Sequence, residues 1–179
     1  MCNTVLLDDY LNNLCLAGNL SLQDFCIHYF PQTPNVPHSY LQSKIDIVQR
    51  AFYVALAVSE GYDPVITATE FYEELNAVFA SYNPARNFLT YLVDGEQHCY
   101  TPLQLYYDAD PYSAQPASVP TNTTLMYQWV NNFPLTLPFQ TASTICEGEI
   151  ELPPSSAQQG TKNDYCSPLV FPKLFKNID

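Results

Sequence analysis

With 179 residues, 47% of them hydrophobic and 14% aromatic, the chain can bury a core, and its length is that of one domain or a large part of one. Eighteen acidic against six basic residues give a formal charge of −12, and no Lys/Arg cluster interrupts it, which argues against nucleic acid and anionic membrane as partners. No apolar run approaches the roughly 20 residues that span a bilayer; the best, Ala51 to Val58, stops at Ser59-Glu60-Gly61, so the sequence reads as a soluble protein with no membrane partner.

In chain order, Leu20 to Phe30 reads as a short helix with Ser21 as its N-cap and Pro31 just past its end. Val36 to Gln42 reads as extended. From Asp46 to Ala57 the apolar residues Val48, Phe52, Ala55 and Leu56 follow helical spacing, so Asp46 falls where a strand hands over to a helix. The clearest helix is Thr67 to Tyr82: Thr67-Ala68-Thr69-Glu70 is a capping box, and Phe71, Leu75, Val78, Phe79 and Tyr82 form one stripe opposite Glu70, Glu73, Glu74 and Asn76. Phe88 to Val93 is a strand-like apolar run, followed by the polar loop Gly95-Glu96-Gln97-His98-Cys99 and a Ser/Ala/Pro linker from Ser113 to Pro120. Asn122 to Asn132 reads as the last helix. The order points to an α/β fold, the C-terminal half of an open sheet with flanking helices, over residues 1–133. Residues 134–179 are Pro- and Ser-rich with two cysteines and read as an irregular tail pinned by disulfides. Glu147, Glu149 and Glu151 in that tail read as a solvated acidic edge, since no Asp-x-Asp-x-Asp-Gly loop accompanies them.

Six cysteines, Cys2, Cys15, Cys26, Cys99, Cys146 and Cys166, lack metal-ligand spacing and read as disulfide formers of unassigned connectivity. The sequons Asn19-Leu20-Ser21 and Asn122-Thr123-Thr124 agree with an extracellular or secretory-pathway glycoprotein. Met1 to Asp9, however, has neither a basic n-region nor an apolar core of signal-peptide length. The expectation is therefore either a missing N-terminal part or a protein that is not secreted.

The three histidines differ in setting. His28, among Ile27, Tyr29 and Phe30, reads as a packed ring, and His38, between Pro37 and Ser39, as exposed. His98 lies on a loop just beyond a buried strand, where α/β enzymes often keep a general base. Cys99 beside it is either a reactive thiol or, preferably, a disulfide anchor joining this loop to Cys146 or Cys166. Asp46, 52 residues before His98, stands where the acid of a Ser-Asp-His order would stand. A buried carboxylate there fixes the imidazole tautomer and stabilises the imidazolium formed when the base takes a proton.

Phe30-Pro31-Gln32, the run Ser43-Lys44-Ile45-Asp46-Ile47-Val48-Gln49-Arg50-Ala51-Phe52-Tyr53, and Asn87-Phe88-Leu89-Thr90-Tyr91-Leu92-Val93-Asp94-Gly95-Glu96-Gln97-His98 together resemble the pectin acetylesterase and Notum-like family of serine α/β-hydrolases. The resemblance spans roughly Leu22 to Phe133. It implies an α/β-hydrolase-like fold, cleavage of carboxylic esters on a polysaccharide or protein, no metal or organic cofactor, Asp46 as orienting acid and His98 as general base. Gln49 matches the pattern without an assigned role. The family's nucleophile lies in a Gly-x-Ser-x-Gly elbow, whereas none of the five glycines here begins a Gly-x-Ser. Ser21, Ser39 and Ser43 sit at a helix start or on an extended segment and make no elbow. The expected protein is thus the C-terminal part of a secreted serine esterase, inactive without the N-terminal half that supplies the serine, or a catalytically dead secreted module that binds glycan or protein.

Overall fold

The computed structural model describes residues 2–5, 7–82, 84–101, 103–114 and 123–132. The segment read as a tail, 134–179, with Cys146, Cys166 and the three alternating glutamates, lies outside the described residues, as does Asn122 of the second sequon.

The described fold mixes helix and strand: α1 (Asp9–Leu16), α2 (Leu22–Tyr29), a 3-10 turn (Phe30–Gln32), β1 (His38–Ser43), α3 (Ile47–Glu60), α4 (Ala68–Tyr82), β2 (Phe88–Val93), α5 (Leu105–Asp108) and α6 (Met126–Asn131). The two strands pair in parallel, in a register that sets His38 against Phe88 and Ser43 against Val93. Parallel pairing needs a long crossover, supplied here by α3 and α4.

β2 is where the core is organised, because all six of its residues are buried. Its side chains alternate between two apolar layers, as a strand covered on both faces must. Phe88 and Leu92 join Phe30, Tyr72, Leu75, Phe79 and Tyr82 beneath α4. Leu89, Tyr91 and Val93 join Tyr100, Ala109, Met126 and Trp129 beneath α5 and α6. Each fully buried Leu or Val contributes roughly 1.5–3 kcal/mol. Asn87, 2% exposed just before β2, donates from Nδ2 to the carbonyls of Phe30, Thr33 and Val36, which ties the 3-10 turn and the entry to β1 to the second strand.

Helix starts follow capping chemistry. Ser21 and Asp24 make a reciprocal box at α2, and Thr67 and Glu70 make another at α4. The α4 stripe is wider than its spacing predicts, since Tyr72 and Ala68 are buried with Leu75, Phe79 and Tyr82 while Phe71 and Val78 are half-buried. The last helix begins at Met126 rather than at Asn122, where Gln128 Oε1 accepts the Leu125 N–H.

Helix α3 departs most from expectation. Its apolar residues do not meet the core: Phe52 is 62% and Leu56 66% exposed, and Ala57 alone is buried. Among the described residues nothing covers the Phe52–Leu56 side and no further strand lies on the outer edge of β1. Among the described residues no helix is long and apolar enough to cross a membrane.

Candidate functional site

Asp46 caps α3. Its side chain is fully buried, and Oδ1 accepts the N–H groups of Val48 (2.9 Å) and Gln49 (2.8 Å). A carboxylate suits this position because two unpaired amides and the positive end of the helix dipole converge there. The strand pairing delivers His98 to the same point. β2 ends at Val93, Gly95 bends the chain with a positive φ of 105° that favours glycine, and the following residues run on beside the segment that leaves β1. Three backbone bonds hold the two segments together: Lys44 N–H to the Val93 carbonyl (2.9 Å), Ile45 N–H to Gly95 (3.3 Å) and Ile47 N–H to Glu96 (3.2 Å).

Side chains brace the same junction. Lys44 Nζ meets Asp94 Oδ1 at 2.5 Å, with the two side chains 1% and 7% exposed, so the residues that follow the two strands are joined by a buried ion pair. The Ser43 and Tyr100 hydroxyls are 2.5 Å apart. Burial, assisted by the charges of Asp46 and Asp94, pushes the Tyr100 phenol up to about 12, so it remains a neutral hydrogen-bonding partner at physiological pH. Arg50 reaches over Glu96 at 3.5 Å.

The result is direct contact between the two residues singled out from sequence. His98 Nδ1 lies 2.9 Å from Asp46 Oδ2 and 3.1 Å from Oδ1, straddling the carboxylate. Asp46 is wholly buried while His98 is 36% exposed. With Nδ1 committed to the carboxylate, Nε2 has no hydrogen-bond partner among the described residues. Chemically the pair can hold a neutral imidazole with its proton on Nδ1 and present Nε2 as a proton acceptor.

Other candidates fall elsewhere. Ser43 is fully buried against Tyr100, Ser21 is spent on capping α2, and Ser39 is exposed on β1, so none of the three faces Nε2 of His98 as a nucleophile on a sharp turn. Cys99 is exposed and forms no disulfide with a described cysteine, and the partners proposed for it lie outside the described residues. Among the described residues one bridge forms, joining Cys2 to Cys15 and stapling α1, a helix absent from the elements expected above.

His28 packs as a ring, stacked on Tyr10, and it also pairs through Nε2 with Asp8, the N-cap of α1. The reading of His38 needs correction. His38 is half-buried rather than exposed, stacked on Phe30 with ring centroids 4.4 Å apart and bonded through Nε2 to the Thr33 hydroxyl at 2.8 Å. Burial pushes its imidazole below the ordinary histidine value.

A cleft of about 560 Å³ opens beside the start of β1, lined by residues that include Cys26, Phe30, His38, Tyr40, Tyr82 and Phe88. Neither Asp46 nor His98 lines it, so its volume and the acid-base pair belong to different places. Among the described residues no group of histidines, cysteines and carboxylates could hold a metal ion.

The residue most clearly missed by sequence reasoning is Gln42. It reads as an ordinary strand position, yet it is 4% exposed and donates to Asp46 Oδ2 at 3.1 Å. A signal was present in the spacing, because residues four apart across a strand-to-helix junction can meet at the cap. The chain matches no known protein family, no curated protein and no solved structure.

Proposed function

We propose that this chain is the acid- and base-bearing C-terminal part of a secreted serine carboxylic-ester hydrolase of the pectin acetylesterase and Notum-like type. The observation that carries the reading is the 2.9 Å contact between His98 Nδ1 and the buried carboxylate of Asp46, reached from the ends of two parallel strands. In the proposed reaction a serine hydroxyl supplied from outside the described residues gives its proton to Nε2 of His98 as it attacks the ester carbonyl. Asp46 holds the ring and stabilises the imidazolium, and the proton passes to the departing alcohol as the acyl-serine forms. Water then repeats the sequence to release the acid.

Two surfaces support a nucleophile-bearing partner segment. Among the described residues β1 has an open outer edge, with Ser39 and Tyr40 exposed, where a further parallel strand can add. α3, the helix that Asp46 caps, exposes Phe52 and Leu56, a face that a doubly covered sheet would bury. The Cys2–Cys15 bridge and the exposed Asn19 of the first sequon favour the secretory pathway. The substrate is an ester on a polysaccharide or protein, and no metal or organic cofactor takes part.

The same exposed α3 face also suits the second reading, a catalytically dead secreted module that binds glycan or protein. The two separate on one experiment: turnover of p-nitrophenyl acetate by this chain joined or mixed with the segment encoded upstream of it. Hydrolysis that His98→Ala abolishes and Asp46→Asn lowers by about a thousandfold or more is the expected result. Unchanged rates in either variant refute the assignments, and an upstream elbow with its serine replaced favours the binding module.

A further inference from the structure

Gln42, Asp46 and Gln49 close a ring of hydrogen bonds. Gln42 Nε2 donates to Asp46 Oδ2 (3.1 Å) and to its neighbour's carbonyl, Ser43 O (3.1 Å). Its Oε1 accepts from Gln49 Nε2 at 2.9 Å, and the Gln49 backbone N–H returns to Asp46 Oδ1 at 2.8 Å. Both amide protons and the amide oxygen of Gln42 are therefore used. Turning the amide over would set its oxygen against two acceptors, the Ser43 carbonyl and the Asp46 carboxylate, and its nitrogen against the Gln49 amide donor.

We infer that Gln42, held by Gln49, is a positioning residue for the acid-base pair. The helix amides pin Oδ1 of Asp46, and they leave the carboxylate free to swing about that oxygen. Gln42 pins Oδ2. Two fixed oxygens set the carboxylate plane, and that plane is what meets His98 Nδ1 across both oxygens. A near-fully buried amide is an expensive thing to place at a strand end unless its groups are satisfied, and here satisfying them is what fixes Asp46. Gln49 thereby gains a role: one residue caps the ring from the backbone and from the side chain together. The inference rests on the acid-base reading proposed above.

The test uses the chain itself, labelled with ¹⁵N, with the tautomer of neutral His98 read from long-range proton-nitrogen spectra. The wild type is expected to carry its proton on Nδ1. Gln42→Leu, which keeps the volume and removes the donor, should shift the tautomer ratio toward Nε2–H by about tenfold, the worth of a hydrogen bond to a charged group. Gln49→Glu, which offers Gln42 an acceptor in place of a donor, should shift it in the same direction. Because an acidic residue in the first turn favours α3, Gln49→Glu should retain native folding and so remain readable if Gln42→Leu does not fold. Gln49→Lys, which restores a donor toward Gln42 Oε1, should return the wild-type ratio. A wild type that is Nδ1-protonated with folded variants that leave the ratio unchanged overturns the positioning role alone. A wild type protonated on Nε2 overturns the acid-base reading, and the positioning role with it.

Discussion

The molecule builds an aspartate-histidine pair twice, in both cases from a helix N-cap, and the two copies differ in what they leave free. Asp8 caps α1 by accepting the Leu11 N–H at 3.0 Å and meets His28 Nε2, while Asp46 caps α3 and meets His98 Nδ1. Asp8 is 42% exposed, whereas Asp46 is fully buried. The backbone amide of Leu11, with help from His28, holds the Asp8 carboxyl below its ordinary range. In the first pair the outer ring nitrogen, Nε2, is consumed by the carboxylate, so the contact ties the start of α1 to α2. In the second pair the inner nitrogen is consumed and Nε2 remains available. Which imidazole nitrogen meets the carboxylate decides which nitrogen is left free to exchange a proton.

The sharpest break falls on the platform beneath the second pair. Lys44→Met removes the cation of the buried Lys44–Asp94 pair and is expected to cost about 3–5 kcal/mol in denaturant unfolding, with loss of the His98 loop's protection from amide exchange. Asp46→Ala removes a cap and strands a buried amide donor, so a loss of about 2–4 kcal/mol is expected. Asp8→Ala should shift the same unfolding midpoint far less, because its carboxylate is solvated and the Cys2–Cys15 bridge still holds α1. Equal shifts for the two aspartates would erase the distinction drawn between them.

His38 supplies the smallest and most selective contrast, a histidine that meets a hydroxyl instead of a carboxylate. Burial lowers its pKa, so the unfolded chain binds the proton more readily than the folded one. Its contribution is fully present above the unfolded value of about 6.5 and is lost as pH falls through the lower folded value. His38→Phe, which keeps the stack on Phe30, should flatten the decline in stability on acidification. A melting curve with the same acid slope in both proteins would contradict this.

Local chemistry was the legible part of this fold. β2 was readable to its ends because five apolar residues, interrupted only by the β-branched Thr90, run between turn formers, and α4 because Thr67 and Glu70 announce its start. Asp46 and His98 were legible as a pair because each sits at the end of an element whose type was clear. What escaped depends on distant partners. α1 is only eight residues long and is held by a disulfide and by His28. The α3 stripe had the right period, but periodicity cannot say what covers it, and among the described residues nothing covers Phe52 and Leu56. Gln42 was invisible as a site residue because its role exists only once the strand end and the helix cap meet.

The central claim is tested most directly by the tautomers of His28 and His98 in one ¹⁵N spectrum at a pH of about 8, above the ordinary imidazole range. The account predicts His98 protonated on Nδ1 and His28 protonated on Nε2, each toward its own aspartate, with Asp46→Asn disturbing only the first. A His98 that carries its proton on Nε2, or that does not respond to Asp46→Asn, would contradict it.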